Sequence, residues 1–161
     1  MAWILILSFL IKQKKATVND MAHIIDGKII NGEWDIFYEY AKDEETVTTY
    51  ANWDFYNLYL GYSANNVEGV AICIDLNSDG WVIGDDNYLI TSNENNEFDI
   101  LKTVKNADNG ITLISIKAPE DTKITAVKQT VNGKENMEIA IPAGIFGNGG
   151  GGPRPGNGGP Q

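Results

Sequence analysis

The chain has 161 residues, with 12 lysines and arginines against 22 aspartates and glutamates. The acidity is concentrated, because residues 31–100 hold fifteen acidic residues and a single basic one, Lys42. This balance argues against nucleic acid as a partner, since a nucleic-acid-binding site needs a basic stripe that faces the phosphates. The hydrophobic content of 43% and the ten aromatic residues from Trp34 to Tyr62 exclude wholesale disorder.

The first segment, residues 1–22, contains an apolar run from Ala2 to Ile11. The run is too short to span a bilayer, which takes about 20 residues, so no membrane span is predicted. Lysines follow the run instead of preceding it, and no Ala-x-Ala cleavage site appears, unlike in a typical secretory signal. Three interpretations stay open: a degenerate export signal, an extra strand packed on the body or on a neighbouring molecule, and a wrongly assigned start.

The body, residues 23–146, is predicted to be all-β, because short β-like runs alternate with turn signals and no window sustains a helical period. Eight strands with hairpin turns predict a two-sheet antiparallel β-sandwich of jelly-roll type. The predicted strands are Val47–Trp53, Asn57–Ser63, Val67–Ile74, Asn87–Thr91, Glu97–Val104, Ile111–Ala118, Lys123–Val131 and Asn136–Ile141.

Turn-forming residues separate several of these runs. Asp108–Gly110 and Asn132–Gly133 supply the positive φ angles that tight hairpins need. The segment Glu33–Ala41 is expected to form a short helix or an irregular entry, with its Trp34 and Phe37 covering one end of the core. The last segment, residues 147–161, is rich in glycine and proline and has no apolar side chain to bury, so it is predicted to be a flexible tail.

A twelve-residue acidic stretch directly after the apolar run Val70–Ile74 has the ligand spacing of a calcium loop. Asp75, Asn77 and Asp79 occupy positions 1, 3 and 5, and a glycine then lets the chain turn. The carbonyl of Trp81 falls at position 7 and Asp86 at position 12. Because the loop leaves a strand and not a helix, we expect Ca²⁺ on a β scaffold rather than an EF-hand. The alternative is a turn rich in Asp and Asn that holds no metal.

Four pieces of the body together resemble a known group of domains. Ile25–Trp34 places an Asp-Gly turn before a Glu-Trp pair, and Val47–Leu60 joins a strand, a Trp-Asp turn and an Asn-Leu-Tyr strand. Ile72–Gly80 and Gly84–Tyr88 contain Asp-x-Asn-x-Asp-Gly followed by Asp-Asn-Tyr, and Met137–Pro142 contains Glu-x-x-Ile-Pro. In this order they resemble family 9 carbohydrate-binding modules and the related DOMON-like sandwich domains, over roughly residues 24–146.

The resemblance implies an extracellular or cell-surface β-sandwich, often calcium-bearing, that is appended to glycan-active enzymes or surface proteins and sometimes binds sugars. One departure is informative. Members of the group usually continue past the Ile-Pro strand with further strands, whereas this chain enters a glycine-rich tail. A sheet edge left open would accept another strand, and the apolar segment Ile4–Ile11 is a candidate donor to its own body or to a neighbour.

Two functions follow from these observations. The first is a carbohydrate-binding module for a glycan or cell-surface polysaccharide, in which an aromatic platform covers the apolar face of a sugar. The candidate platform residues are Trp53, Tyr56, Trp81 and Tyr88, with core packing as the competing interpretation for Trp53. The second is a structural surface or filament subunit, a homo-oligomer that assembles by strand exchange through the N-terminal arm.

An enzyme is the least supported class. No Ser/His/Asp or Cys/His set can be built around His23, the only histidine, and we expect no carboxyl in an apolar setting that would raise its pKa. Haem binding likewise lacks convincing axial ligands. The single cysteine, Cys73, lies in an apolar strand and is expected to be a buried structural residue.

Overall fold

The computed structural model describes residues 4–6, 24–30, 32–42, 45–65, 67, 69–77, 86–93, 95–108, 110–120 and 122–147. Within these residues the chain forms ten β-strands and one short 3-10 helix, Ala143–Phe146. The strands are β1 (Ile4–Ile6), β2 (Ile36–Lys42), β3 (Glu45–Trp53), β4 (Asn57–Ala64), β5 (Val70–Asp75), β6 (Asn87–Ser92), β7 (Phe98–Lys105), β8 (Ile111–Ser115), β9 (Thr125–Val131) and β10 (Lys134–Pro142).

The strands form two five-stranded sheets, which confirms the predicted β-sandwich. The first sheet has the order β1-β5-β6-β7-β8 and the second has the order β2-β3-β4-β10-β9. All neighbouring strands are antiparallel except β1, which runs parallel to β5 with Ile4 opposite Val70. Part of the N-terminal arm is therefore an extra strand packed on the body, which is one of the interpretations that the sequence left open.

The core lies between the sheets and is built from alternate residues of the central strands. Because successive strand residues point to opposite faces, every second residue of each strand reaches the core. The second sheet contributes buried apolar side chains that include Leu60, Tyr62, Met137, Ile139 and Ile141. The first sheet contributes a matching set of buried apolar side chains, namely Val70, Ile72, Ile74, Tyr88, Ile90 and Ile100.

All eight predicted strands are present, with ends that differ by at most three residues from the prediction. The β9–β10 turn is the predicted Asn132–Gly133 pair, with φ angles of 53° and 78°. These positive angles are those of a tight hairpin turn, in which asparagine and glycine are the favoured residues. Local turn chemistry therefore sets the β9–β10 register, in which Lys134 lies opposite Val131.

The expectation of a helix or an irregular entry at Glu33–Ala41 is wrong. Most of this segment is β2, an edge strand that pairs with β3 along its length. Its aromatic and isoleucine side chains suit a strand, and the pairing with β3 outweighs the weak helical pattern. Trp34 is buried as expected, whereas Phe37 lies on the exposed edge strand and does not cover the core.

Candidate calcium and ligand site

The hairpin turn between β3 and β4 carries three exposed aromatic side chains, which we call the aromatic tip: Trp53, Phe55 and Tyr56. Their exposed fractions are 41%, 81% and 72%. The Phe55 and Tyr56 rings meet edge to face, with centroids 5.3 Å apart. A contiguous group of large exposed aromatic side chains is a candidate binding surface. The tip contains two of the predicted platform residues, Trp53 and Tyr56, together with Phe55, which was not predicted to bind a ligand.

Asp54 holds the aromatic tip in one conformation. Its Oδ1 accepts hydrogen bonds from the backbone N–H groups of Tyr56 and Asn57, each at 2.7 Å. Its Oδ2 accepts a hydrogen bond from the Tyr59 hydroxyl at 2.8 Å. Burial raises the pKa of Tyr59, and the hydrogen bond to Asp54 adds to this rise, so the hydroxyl stays protonated as a donor. A turn fixed in this way loses little conformational entropy when it binds a ligand.

The predicted calcium loop starts where β5 ends and finishes where β6 begins, at the turn end of the β5–β6 hairpin. Asp75 is the last residue of β5 and lies opposite Asn87, the first residue of β6. The backbone N–H of Leu76 donates a hydrogen bond to the carbonyl of Asp86 at 3.2 Å. The backbones of two predicted ligands, Asp75 and Asp86, are therefore neighbours across the hairpin, on diagonal positions of the two strands. Asp75 is buried, whereas Asn77 is exposed at the start of the loop.

The two other predicted ligands, Asp79 and Trp81, lie outside the described residues. Within the described part of the chain, no group of three or more His, Cys, Asp or Glu side chains could hold a metal ion. One observation does fit a cation. Oδ2 of Asp86 is buried, yet it has no hydrogen-bond partner among the described residues. A buried carboxylate oxygen needs a donor or a cation to offset its desolvation, and Ca²⁺ prefers such oxygen ligands.

Tyr88, the last predicted platform residue, lies in the core. It is only 6% exposed, and its ring packs edge to face against Phe146 with centroids 5.0 Å apart. Its hydroxyl donates a hydrogen bond to the Phe146 carbonyl at 3.3 Å. In this position the ring has no exposed face on which a sugar could stack. The described part of the platform is therefore the aromatic tip alone.

The aromatic tip and the start of β6 lie at the same end of the sandwich, because the 3-10 helix Ala143–Phe146 connects them. At one end of this helix, the N–H of Ala143 donates a hydrogen bond to the carbonyl of Tyr56 at 2.8 Å. At the other end, Phe146 packs against Tyr88, two residues after Asp86. The exposed rings and the candidate calcium ligands therefore share one end of the molecule.

The buried carboxylate of Glu138, which is not among the predicted site residues, connects two of the motifs on which the resemblance depends. Glu138 is 0% exposed, and its Oε2 accepts hydrogen bonds from the N–H groups of Asp26 and Gly27 at 2.8 and 2.7 Å. Its Oε1 accepts a hydrogen bond from Nε1 of Trp34 at 3.2 Å. Residues 24–30 and 32–34, which we call the strap, are thus tied to β10 by one side chain. The signals in the sequence are a charged residue within the apolar strand Met137–Ile141 and its place in the Glu-x-x-Ile-Pro motif.

The expectation that no carboxyl lies in an apolar setting is wrong for Glu138. Burial raises its pKa, although the backbone hydrogen bonds from Gly27 and Asp26 oppose the rise. Both oxygens already accept hydrogen bonds and the side chain is sealed from solvent, so Glu138 has a structural role in this geometry. Cys73 is half-buried, and burial raises the pKa of its thiol, which makes it a poor nucleophile.

Comparison of the sequence with protein-family models, with curated proteins and with solved structures produced no match. The resemblance to family 9 carbohydrate-binding modules and DOMON-like domains therefore stays a prediction. Among the described residues, no helix is long and apolar enough to cross a membrane.

Proposed function

We propose that the chain is a non-catalytic, extracellular β-sandwich module that binds carbohydrate through the aromatic tip and holds Ca²⁺ in the loop after β5. The aromatic tip is the observation that carries this proposal. Trp53, Phe55 and Tyr56 present apolar ring faces to solvent on a turn that Asp54 holds rigid. Such faces suit the apolar side of a pyranose ring, and burying them would supply the binding energy.

The charge distribution favours a neutral glycan as the ligand. Residues 31–100, which contain the aromatic tip, carry a net charge of −14. An anionic polysaccharide would be repelled by this field, whereas a neutral one would not. Bound Ca²⁺ at the same end of the sandwich would reduce the local negative charge.

The calcium part of the proposal depends on the geometry of Asp75 and Asp86. Their backbones are neighbours across the β5–β6 pair, so both residues lie where the predicted loop begins and ends. The buried Oδ2 of Asp86, which no described residue satisfies, supports a cation as the partner. The ligand set would then be Asp75, Asn77, Asp79, the Trp81 carbonyl and Asp86, as the loop spacing predicts. Extracellular calcium at millimolar levels agrees with this proposal.

The glycan proposal is tested with single alanine variants of the tip. Phe55→Ala and Tyr56→Ala remove exposed rings, so the fold is expected to be retained. Each variant should weaken retention on immobilised neutral polysaccharide by about tenfold or more, as expected for a central aromatic contact. The matched control is Tyr40→Ala, which removes an exposed ring from β2. Equal retention of the native protein, the two tip variants and the Tyr40→Ala control would contradict the proposal.

The calcium proposal is tested separately by thermal unfolding with Ca²⁺ or with a chelator. A ligand that binds only the folded state stabilises it by about 2.7 kcal/mol at a concentration one hundred times its Kd. Asp86→Asn should abolish most of this effect. Asp99→Asn, an exposed aspartate on β7, should retain it. Equal melting temperatures of the native protein with Ca²⁺ and with chelator would count against a calcium site.

The alternative is a structural surface or filament subunit, and the pairing of β1 with β5 favours it. The first sheet accepts Ile4–Ile6 as an edge strand, so the same edge could accept this segment from a neighbouring molecule. Light scattering of the chain with and without residues 1–15 distinguishes the cases. Strand exchange predicts a large assembly that the deletion dissolves, whereas two monomers would end this alternative.

A further inference from the structure

One edge of the first sheet, β8, is an uncharged and largely apolar strand. All five residues of β8 are exposed, and Ile111, Leu113 and Ile114 are between 41% and 49% exposed. Within the described residues β8 pairs with β7 and with no second strand. An exposed edge strand without charge or proline is a template for another strand. Apolar side chains on both of its faces add area that a partner would bury.

The middle residue of each edge strand decides whether that strand can pair with its own copy. In a full antiparallel pairing about a two-fold axis, the middle residue lies opposite itself. For β2 this residue is Glu39, so the pairing would place two carboxylates together. For β9 it is Lys128, whose ammonium is already paired with Glu135 at 2.7 Å. For β8 it is Leu113. Of β2, β8 and β9, only β8 has no charged residue along the strand.

We propose that β8 pairs with β8 of a second copy, antiparallel about a two-fold axis at Leu113, to form a dimer with a continuous sheet. Thr112 would then lie opposite Ile114 of the second copy, and Ile111 opposite Ser115. The proposal does not depend on the carbohydrate function, because β8 belongs to the other sheet from the aromatic tip.

The charges that flank β8 complement each other in this arrangement. The nearest charged residue before the strand is Asp108, and the nearest one after it is Lys117, both exposed. Asp108 lies in the β7–β8 turn before β8 and Lys117 in the segment after β8, so the two-fold axis brings Lys117 to the same end of the paired strands as Asp108 of the second copy. The symmetric dimer therefore brings opposite charges together at both ends of the paired strands.

The dimer is tested by light scattering of the full chain over a range of concentrations. The native protein should have twice the mass of one chain. Leu113→Lys places two lysines opposite each other, so it should weaken dimerisation by well over tenfold. The control is Tyr38→Lys on β2, where the replaced side chain is about as exposed as Leu113; this variant should leave the dimer intact. Circular dichroism confirms that both variants are folded.

A charge exchange tests the orientation of the two strands. Asp108→Lys should weaken the dimer on the order of tenfold, because it replaces two attractive pairs by two repulsive ones. Adding Lys117→Asp to the same chain should restore the native affinity. A parallel arrangement of the two strands would show no such restoration.

Disulfide trapping tests the register. Leu113→Cys brings two thiols to directly opposite positions, where strand Cα atoms lie about 4.5–5.5 Å apart, close enough for a disulfide. Ile111→Cys separates the two thiols by about 13 Å along the strands, so this control should not cross-link. A native chain that stays monomeric would overturn the proposal. A dimer that Tyr38→Lys or removal of residues 1–15 dissolves, while Leu113→Lys does not, would overturn it as well.

Discussion

Replacing Glu138 by alanine should release the strap from the second sheet. The carboxylate is the acceptor for three donors: the N–H groups of Asp26 and Gly27 and Nε1 of Trp34. The alanine variant leaves these donors in place, and two of the three hydrogen bonds are buried. The strap would then have to open to water or remain with unsatisfied donors.

The expected loss of stability in Glu138→Ala is about 3–5 kcal/mol. A buried donor left without an acceptor costs about 1–3 kcal/mol, and hydrogen bonds to a charged acceptor lie at the upper end. Relief of the buried charge offsets part of this cost. Since small domains unfold with about 5–15 kcal/mol, the loss is a large part of the total. Glu97→Ala is the matched control, because this exposed carboxylate bonds within a surface turn and should cost less than about 1 kcal/mol.

Glu138→Gln adds a test of pH dependence. Burial raises the pKa of Glu138 in the folded state above its ordinary value of 4.5, and the carboxylates of Asp26 and Glu33 act in the same direction. The stability from this group is therefore fully present below pH 4.5 and is lost as the pH rises through the folded pKa. The glutamine side chain does not titrate. The free energy of unfolding of the native protein relative to Glu138→Gln should thus increase as the pH is lowered.

The assay is urea unfolding followed by tryptophan fluorescence and circular dichroism, at several pH values. Release of the Trp34 indole from Glu138 should shift its contribution to the emission of the four tryptophans to longer wavelength. A loss below about 1 kcal/mol in Glu138→Ala would refute the idea that this carboxylate holds the strap. A stability difference between the native protein and Glu138→Gln that is independent of pH would refute the raised pKa.

Three further substitutions test other contacts. Asp54→Ala should destabilise the protein by about 1–3 kcal/mol and speed hydrogen exchange of the amides in the tip turn, because these lose their acceptor. Gly27→Ala should cost more in an unfolding titration than Gly32→Ala. Both glycines have positive φ, but only at Gly27 would the added carbon lie 2.8 Å from Cγ of Gln129. Tyr62→Phe should lose about 1–2 kcal/mol in the same titration, since it removes a 2.6 Å hydrogen bond to a carboxylate.

Much of the fold could be predicted from the sequence because its strands are specified locally. Alternating side chains and Asn-Gly turns act over a few residues, so eight strands and the β9–β10 turn were predictable. The error at Glu33–Ala41 has a different origin. The strand there depends on pairing with β3, which no local pattern in that segment reveals.

The candidate site was only partly predictable, because exposure depends on contacts between distant segments. Tyr88 is buried by Phe146, which lies 58 residues further along the chain. Trp53 was weighed against core packing, yet it is exposed at a turn, and its neighbour Phe55 is the most exposed of the three rings. The partners of Glu138 lie more than 100 residues away from it in sequence. Such pairings follow from sheet topology and not from local spacing.

The binding proposal is tested most directly by calorimetric titration of the full chain, first with Ca²⁺ and then with neutral oligosaccharides on the calcium-loaded protein. We expect saturable heat for Ca²⁺ at about one ion per chain. On the calcium-loaded protein we then expect saturable heat from a neutral oligosaccharide. The Phe55→Ala and Tyr56→Ala variants should give no such heat. A folded, calcium-loaded protein that binds no oligosaccharide would contradict the carbohydrate function and favour the structural subunit.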